Sequence, residues 1–453
     1  MIEGQATVIV ESAIVALLVA PASLLALIGV PTWLGWSLSE AAIGRLTRVL
    51  MTIAFLAGAL ALATHVLSGA EPWTASLGTW LETGVTLDFM VDTVSLSFAT
   101  LAVALCGVDA AYSTRYLHRE PGYARYFATY ALFTLGITAV ALAGSVEVLF
   151  AGWEFLGLSS ALLIGFFHER REPVANALRV FAVYRLSDAA MLTAVVLMHH
   201  WAGTGSLAHL FYGDSLSATA LDGARATTIA LLLLLAVAGK SGLLPFSGWL
   251  PRAMEGPTSS SAVFYGSLSI HAGCYLLLRA EPLFALAPVA RILTIAAGVA
   301  TAIHATLSAR VQTDVKSALT YAALTQVSLI VVEIGLGLTT IAFVHMVGHA
   351  CYRLLQFLSA PNILHDLHEL ENALGERLDD DRGQVFADDR GAVARRRLYL
   401  WALERGFVDA LLDRFVVAPF VAVATALDRL DRLLCGPSAE PTPKTTREER
   451  GDD

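Results

Sequence analysis

The stretch ATTIALLLLLAVAGKSGLLPFSGWL, residues 226–250, sets a lysine in the middle of an otherwise apolar run. Lys240 is one of only three lysines among 453 residues. An ammonium at the centre of a bilayer costs about 2.5–3.5 kcal/mol on insertion scales. Such a charge persists where it is paired, lines a wet cavity or does work. Five residues on, Pro245 has no backbone N–H to donate and crowds the preceding turn, so a helix here should break near Gly242–Pro245. Breaks at membrane depth are tolerated where protein or water satisfies the freed backbone groups, and in transporters they mark ion or substrate sites.

The rest of the chain agrees with a membrane bundle. Hydrophobic residues make up 56% and charged residues 15%, against about 25% charged in soluble domains. Eleven candidate spans follow from runs of about 20 apolar residues. They are Val8–Val30, Leu46–Val66, Thr93–Ser113, Tyr126–Gly144, Glu147–Phe167, Ala177–His200, Thr227–Trp249, Ser260–Arg279, Val289–Ala309, Ser317–Gly337 and Thr339–Ala360. The first run lacks a basic leader and reads as a retained helix rather than a cleaved signal. Arg45 and Arg48, then Arg115, Arg119 and Arg125, then Arg170 and Arg171, then Arg310 and Lys316 all fall in odd-numbered loops. The positive-inside rule makes that side cytoplasmic, with the N-terminus outside and the tail inside. The expected location is a bacterial-type inner membrane.

After Ala360 the composition changes. His365 to Arg397 is polar, with acidic Asp379–Asp381 and basic Arg395–Arg397. In the next stretch the uninterrupted apolar part, Phe415 to Leu427, is too short for a standard span. It reads as an amphipathic helix on the membrane or on a partner subunit, with a twelfth span as the alternative. The polar residues 437–453 are expected to be disordered. The net charge of −9 gathers largely in this C-terminal region and does not suggest nucleic acid as a partner. Cys106, Cys274, Cys351 and Cys435 are scattered without CxxC spacing, so neither a disulfide framework nor a metal cluster is expected.

Four intramembrane features stand out. Glu154 lies inside the fifth span and is the natural carboxylate to pair with Lys240, so that the pair switches protonation as a proton passes. A static ion pair that fixes helix packing is the plainer reading. His345 and His349 share a helix face at i and i+4, with Arg353 one turn further. Two histidines at this spacing can ligate zinc, but no further ligand stands at a recognisable distance; proton relay suits them better, and simple packing suits them as well. Arg353 can bias them as a fixed charge but releases no proton. Tyr265 and His271 lie in the eighth span. Lys316, at the start of the tenth, can snorkel to the interface, beside Asp314 as a helix cap.

These residues carry a likeness. GWEFLGLSSALLIGFF (152–167), FAVYRLSDA (181–189), GKSGLLPFSGWLPRAMEGPTSSSA (239–262), TDVKSALTYAALTQ (313–326) and HMVGHACYRLLQFL (345–358) resemble the antiporter-like, proton-conducting membrane subunits of respiratory complex I. The distal large subunit (subunit L, or subunit 5) is most similar, and the Mrp cation/proton antiporter subunits are also similar. The resemblance implies an all-α polytopic bundle of 11–12 spans with a broken seventh helix, built on two inverted five-helix repeats of which the second is incomplete here. It implies that Glu154 matches the family's essential glutamate, Lys240 its central lysine, and His345 and His349 its connecting histidines. Tyr265 stands where members usually have a histidine, with His271 six residues on, and Arg353 stands where a lysine is usual. The second broken helix and the long lateral helix have no counterpart in the sequence, which leaves the exit half-channel to a partner or another route.

The implied organisation is an N-terminal two-helix segment (1–86), a proton-conducting domain (87–365), a charged linker (366–397), an amphipathic helix (398–436) and a polar tail (437–453). The implied function is proton translocation within a complex related to NADH-quinone oxidoreductase. The chain would be at most a translocase subunit, with no cofactor and no metal of its own, since no GxGxxG or cysteine cluster occurs. Partners implied are the lipid bilayer, other membrane subunits and a soluble or peripheral protein docking on the tail. The same likeness fits a membrane subunit that drives inorganic-carbon uptake with a zinc carbonic-anhydrase-like partner, or a Na+/H+ antiporter subunit.

Overall fold

In the computed structural model, residues 2–69, 71–80, 85–212, 221–374 and 392–435 are described. Among them, twelve helices are long and apolar enough to cross a membrane: α1 Gly4–Trp33, α2 Glu40–Leu67, α3 Thr93–Tyr116, α4 Tyr123–Leu142, α5 Val146–Ile164, α6 Arg171–Ala202, α7 Gly223–Ser241, α8 Thr258–Arg279, α9 Pro288–Ala309, α10 Val315–Gly335, α11 Thr339–Ala360 and α12 Arg405–Leu434. The polytopic all-helical bundle expected from the sequence is therefore present. The acidic run Asp379–Asp381, the middle of the charged linker and the tail 437–453 lie outside the described residues.

Local chemistry sets the helix ends. Ser39, Ser145, Asp222 and Asp314 accept from backbone N–H groups in the first turns of α2, α5, α7 and α10, which satisfies otherwise orphaned donors. Asp92 and Ser95 form a reciprocal capping box at α3. The centre of the bundle is α8, whose every residue is buried. It opens as an α-turn at Thr258–Ser260, widens to a π-helix over Ser261–Leu268 and returns to α-helix at Ser269. Such widened turns recur at functional sites.

Two features differ from the sequence expectation. Between α2 and α3 the chain forms an antiparallel hairpin, β1 Trp73–Trp80 and β2 Val85–Val91, with Trp73 opposite Val91. It is held to the α4–α5 turn: Gly144 N–H donates to the Asp88 carbonyl at 2.8 Å, and the Ser145 hydroxyl to the Thr86 carbonyl at 3.1 Å. Second, the C-terminal segment is long and apolar enough to be a twelfth candidate span, the alternative reading of the sequence. Most of α12 is exposed, and it joins the bundle through Arg179–Asp413, Arg252–Asp409 (2.9 Å) and an edge contact between Phe181 and Phe420.

Candidate functional site

The expected break in the seventh span is present, and its backbone is accounted for. Helix α7 ends at Ser241, and Gly242 takes φ +69°, a left-handed conformation that favours glycine. The Leu244–Pro245 peptide is cis. Beyond it, Trp249–Arg252 forms one short helical turn. Two backbone groups at the break find side-chain partners: the Gly239 carbonyl accepts from Trp249 Nε1–H at 2.9 Å, and Leu244 N–H donates to the Thr301 hydroxyl at 3.0 Å. The Ser241 hydroxyl ties the end of α7 to the Ile270 carbonyl of α8 at 2.7 Å.

Lys240 is fully buried at the end of α7. Its Nζ donates to the Trp153 main-chain carbonyl at 3.1 Å and lies 4.4 Å from the Tyr184 ring centroid and 4.9 Å from that of Trp153. Aromatic faces attract a desolvated cation. Gly157, one turn beyond Trp153, leaves room for it; a Cβ there would stand 3.1 Å from Nζ.

The direct Glu154–Lys240 pair expected from the sequence is not formed. Glu154 Oε2 lies 2.7 Å from Arg185 Nη2, and the same nitrogen lies 2.6 Å from Asp188 Oδ2. Among the described residues no carboxylate comes within 4 Å of Lys240. The reason is geometric: Lys240 meets α5 on its Trp153–Gly157 face, while Glu154 turns toward α6. Arg185 and Asp188, three residues apart on α6, were missed as site residues. Their signal was present in FAVYRLSDA, where two opposite charges interrupt an apolar run.

A second cluster joins α8, α10 and α11. His271 Nε2 and His349 Nδ1 are 2.9 Å apart, and Arg353 Nε donates to His349 Nε2 at 3.1 Å. Because Nε2 of His349 accepts, its hydrogen sits on Nδ1 and is given to His271, whose own Nδ1–H goes to the Ser267 carbonyl. The Ser267 carbonyl and the Arg353 guanidinium thus select the same Nδ1–H tautomer in the two rings. His345 faces Glu333 through Nδ1 (3.0 Å) and Gln326 through Nε2 (3.1 Å), with its ring centroid 6.3 Å from that of His349. Glu333, also missed from sequence, is the carboxylate of this cluster.

Tyr265 lies in the π-segment; it donates to the Ser160 carbonyl at 2.8 Å and packs edge-on against Trp249. It belongs to the shell of the Lys240 site rather than to the histidine cluster. Lys316 is half-buried in the first turn of α10 and, among the described residues, has no carboxylate within 4 Å. The structure thus groups Glu154, Lys240 and Tyr265, groups His271, His345, His349 and Arg353 separately, and leaves Lys316 apart.

Comparison with known proteins matches residues 143–376, just over half the chain, to the family described as NADH:quinone oxidoreductase/Mrp antiporter, TM. Residues 80–127 match the N-terminus of NADH-ubiquinone oxidoreductase (complex I) chain 5. Similar proteins include NADH-quinone oxidoreductase subunit L of Mycobacterium tuberculosis, 31% identical over 296 residues (64% of this chain and 46% of that one). Subunit L of Escherichia coli is 30% identical over 309 residues (67% and 50%). The chain spans about half the length of these relatives. Among solved structures, a chain of the Mrp complex from Dietzia sp. superposes with a TM-score of 0.65 at 28% identity, covering 83% of this chain and 38% of that one. A chain of the membrane-bound sulfane sulfur reductase, an archaeal respiratory membrane complex, shares the fold at a TM-score of 0.67 and 19% identity, covering 96% and 91%.

Proposed function

Since this chain belongs to the membrane-subunit family shared by NADH:quinone oxidoreductases and Mrp antiporters, we propose that it moves protons across the bilayer as one subunit of a multi-subunit complex. The observation that carries this reading is Lys240: a wholly buried lysine at a helix break, held by one carbonyl and two aromatic faces. A lysine, unlike an arginine, can release its proton when buried. Arg185 sits between Glu154 and Asp188 and sets how much negative charge reaches Lys240. When Arg185 is drawn toward Glu154, Asp188 is left to hold the Lys240 charge; when it is drawn to Asp188, Lys240 is free to discharge toward α8. From there His271, His349 and His345 carry the proton along the bundle, with Arg353 as the fixed charge that resets their hydrogens.

The conducting unit is 87–365, with the basic odd-numbered loops and the tail on the cytoplasmic side. Partner subunits are part of the reading for a physical reason. The Glu154–Arg185 pair sits within helices of the bundle with side-chain exposures of 26% and 32%, and charge at membrane depth turns to protein or water rather than lipid. A neighbouring membrane subunit covers it. Residues 405–413, which dock at the break through Asp409, are where a peripheral partner is sensed.

The test is purification of the tagged native protein in a mild detergent, with co-purifying proteins identified by mass spectrometry. Quinone-reductase or hydrogenase-type subunits are the expected result. A set of cation/proton antiporter subunits redirects the reading to sodium exchange, and one large zinc protein redirects it to inorganic-carbon uptake. A chain that purifies alone, with no stoichiometric partner, contradicts it.

A further inference from the structure

Away from Lys240 and the histidines, a second carboxyl is sealed in the bundle. Asp109 on α3 has no exposed surface. Neither of its carboxyl oxygens has a hydrogen-bond partner of good geometry, although the Tyr130 and Ser113 hydroxyls lie beside them, and among the described residues no Lys, Arg or His stands within 4 Å. The hydroxyls beside it are committed elsewhere. Tyr130 Oη donates to the Cys106 carbonyl at 2.8 Å, and Ser113 Oγ donates to the main-chain carbonyl of Asp109 itself at 2.8 Å. The titratable groups that face Asp109 are Cys106 and Tyr112 on its own helix and Tyr126 and Tyr130 on α4. The other helices packed against α3, namely α2, α8 and α11, bring no cation into ion-pair reach. A buried charge is either paired or neutralised, and with no counter-ion here the neutraliser within reach is a proton.

A file of hydroxyls, Ser259–Tyr126–Ser113, leads to this carboxyl from the start of α8. Beside its outer end Tyr116, 44% exposed at the end of α3, has its Oη 3.1 Å from the Thr258 hydroxyl. The next residue, Ser259, lies 2.8 Å from Tyr126 Oη, and Tyr126 Oη lies 3.1 Å from Ser113 Oγ. Since the Ser113 hydrogen points to the Asp109 carbonyl, Tyr126 donates to Ser113 and Ser259 to Tyr126. All the hydrogens of the file then run inward. One rotation of Ser113 Oγ, which is i+4 from Asp109 on the same helix face, swings the last of them from the carbonyl to the carboxyl.

We infer that Asp109 is a proton-loading site, supplied through Ser259, Tyr126 and Ser113 and distinct from the Lys240 centre. In one transfer Ser113 gives its hydrogen to the carboxylate and takes one from Tyr126, which takes one from Ser259, which takes one from a hydronium arriving from the loop side. Each hydroxyl ends as it began, the hydronium ends as water, and the carboxylate becomes the acid. The file starts at Ser259, directly after the loop that follows the α7 break, so loading is tied to the position of that loop. The inference rests on the proton-conducting reading for its purpose, though not for its geometry.

The experiment uses the full chain in its native assembly. Infrared spectroscopy should show a protonated buried carboxyl band in the wild type. That band should vanish in Asp109→Asn, shift in Asp109→Glu, and exchange with deuterium at least about tenfold more slowly in Tyr126→Phe. An unchanged carboxyl band in Asp109→Asn overturns the inference. In proteoliposomes, Asp109→Asn should lower proton flux at least about tenfold and Asp109→Glu should restore most of it. Normal flux in Asp109→Asn and Tyr126→Phe, with flux abolished by Lys240→Ala, overturns the inference and leaves the conducting reading intact. No flux in any preparation sinks the conducting reading, and the infrared bands then decide Asp109 alone.

Discussion

The Lys240 ammonium donates to the main-chain carbonyl of Trp153 at 3.1 Å, one residue short of the carboxylate with which sequence alone would pair it. Glu154 is instead joined to Arg185 at 2.7 Å. The acid and the lysine therefore communicate through a guanidinium that also reaches Asp188. This makes the site a balance of two acids and two bases in which moving Arg185 by a small distance changes the field at Lys240.

Replacing Arg185 should consequently be more than a loss of charge. Arg185→Ala leaves Glu154 and Asp188 without their shared cation and pins Lys240 in its charged form by the unshared negative charge. We expect at least about tenfold slower proton flux, with Arg185→Lys intermediate because an ammonium does not bridge two carboxylates as a planar fork does. Flux measured in proteoliposomes at matched protein content checks this. Glu154→Ala should abolish flux as well, with assembly into the complex unaffected.

In the histidine cluster, Arg353 and the Ser267 carbonyl together fix where the ring hydrogens sit. Arg353→Met keeps the length and removes the donor to His349 Nε2, while the Ser267 carbonyl still holds His271 in its Nδ1–H form. Nitrogen-15 spectra of labelled histidine should show the Nδ1–H tautomer for both rings in the wild type and, in the variant, a shifted His349 Nε2 signal that has lost its donor. An unchanged His349 Nε2 signal in Arg353→Met contradicts the assignment.

Asp92 caps α3 and pairs with Arg279 at the end of α8. Burial pushes its carboxyl up, but the Arg279 guanidinium and the Ser95 backbone N–H outweigh that and hold it below its ordinary value of 3.8. A carboxyl lowered in the folded state adds stability that is complete above the ordinary value and is lost as pH falls through the lowered one. Thermal stability in detergent should thus drop below about pH 4 more steeply in the wild type than in Asp92→Asn. At neutral pH the variant should be less stable by about 1.5–3 kcal/mol, the scale of a charged hydrogen bond.

The tail helix depends on Asp409, which pairs with Arg252 at 2.9 Å and packs so tightly on Gly248 that a Cβ there would collide with its Oδ1. Gly248→Ala and Asp409→Asn should each loosen α12 and raise its amide hydrogen exchange, with little effect on exchange in α8. Equal protection of α12 in wild type and both variants contradicts this docking.

Much of this architecture was legible in the chain. The span boundaries follow from the length of apolar runs, and the break at Gly242–Pro245 follows from a proline that cannot donate to the helix ladder, set close to a glycine. The histidine face was visible as an i, i+4 pair; its contact with His271 on another helix was not. What sequence could not carry was helix rotation. Whether Glu154 faces α7 or α6 depends on packing, and that rotation put Arg185 between it and Lys240. The hairpin at Trp73–Val91 was hidden because Gly78 and a register shift between Ser76 and Thr79 interrupt its alternation. Asp109 passed as one polar residue near the end of the third span, since its significance lies in partners that it lacks.

The central claim is that Lys240 is the group on which proton movement turns. The direct measurement is the rate of proton uptake into proteoliposomes holding the purified native assembly, wild type against Lys240→Ala and Lys240→Arg. The account predicts that both variants assemble normally and lose proton uptake by about 100-fold or more, since neither side chain can take and give a proton. Uptake at the wild-type rate in either correctly assembled variant would contradict it.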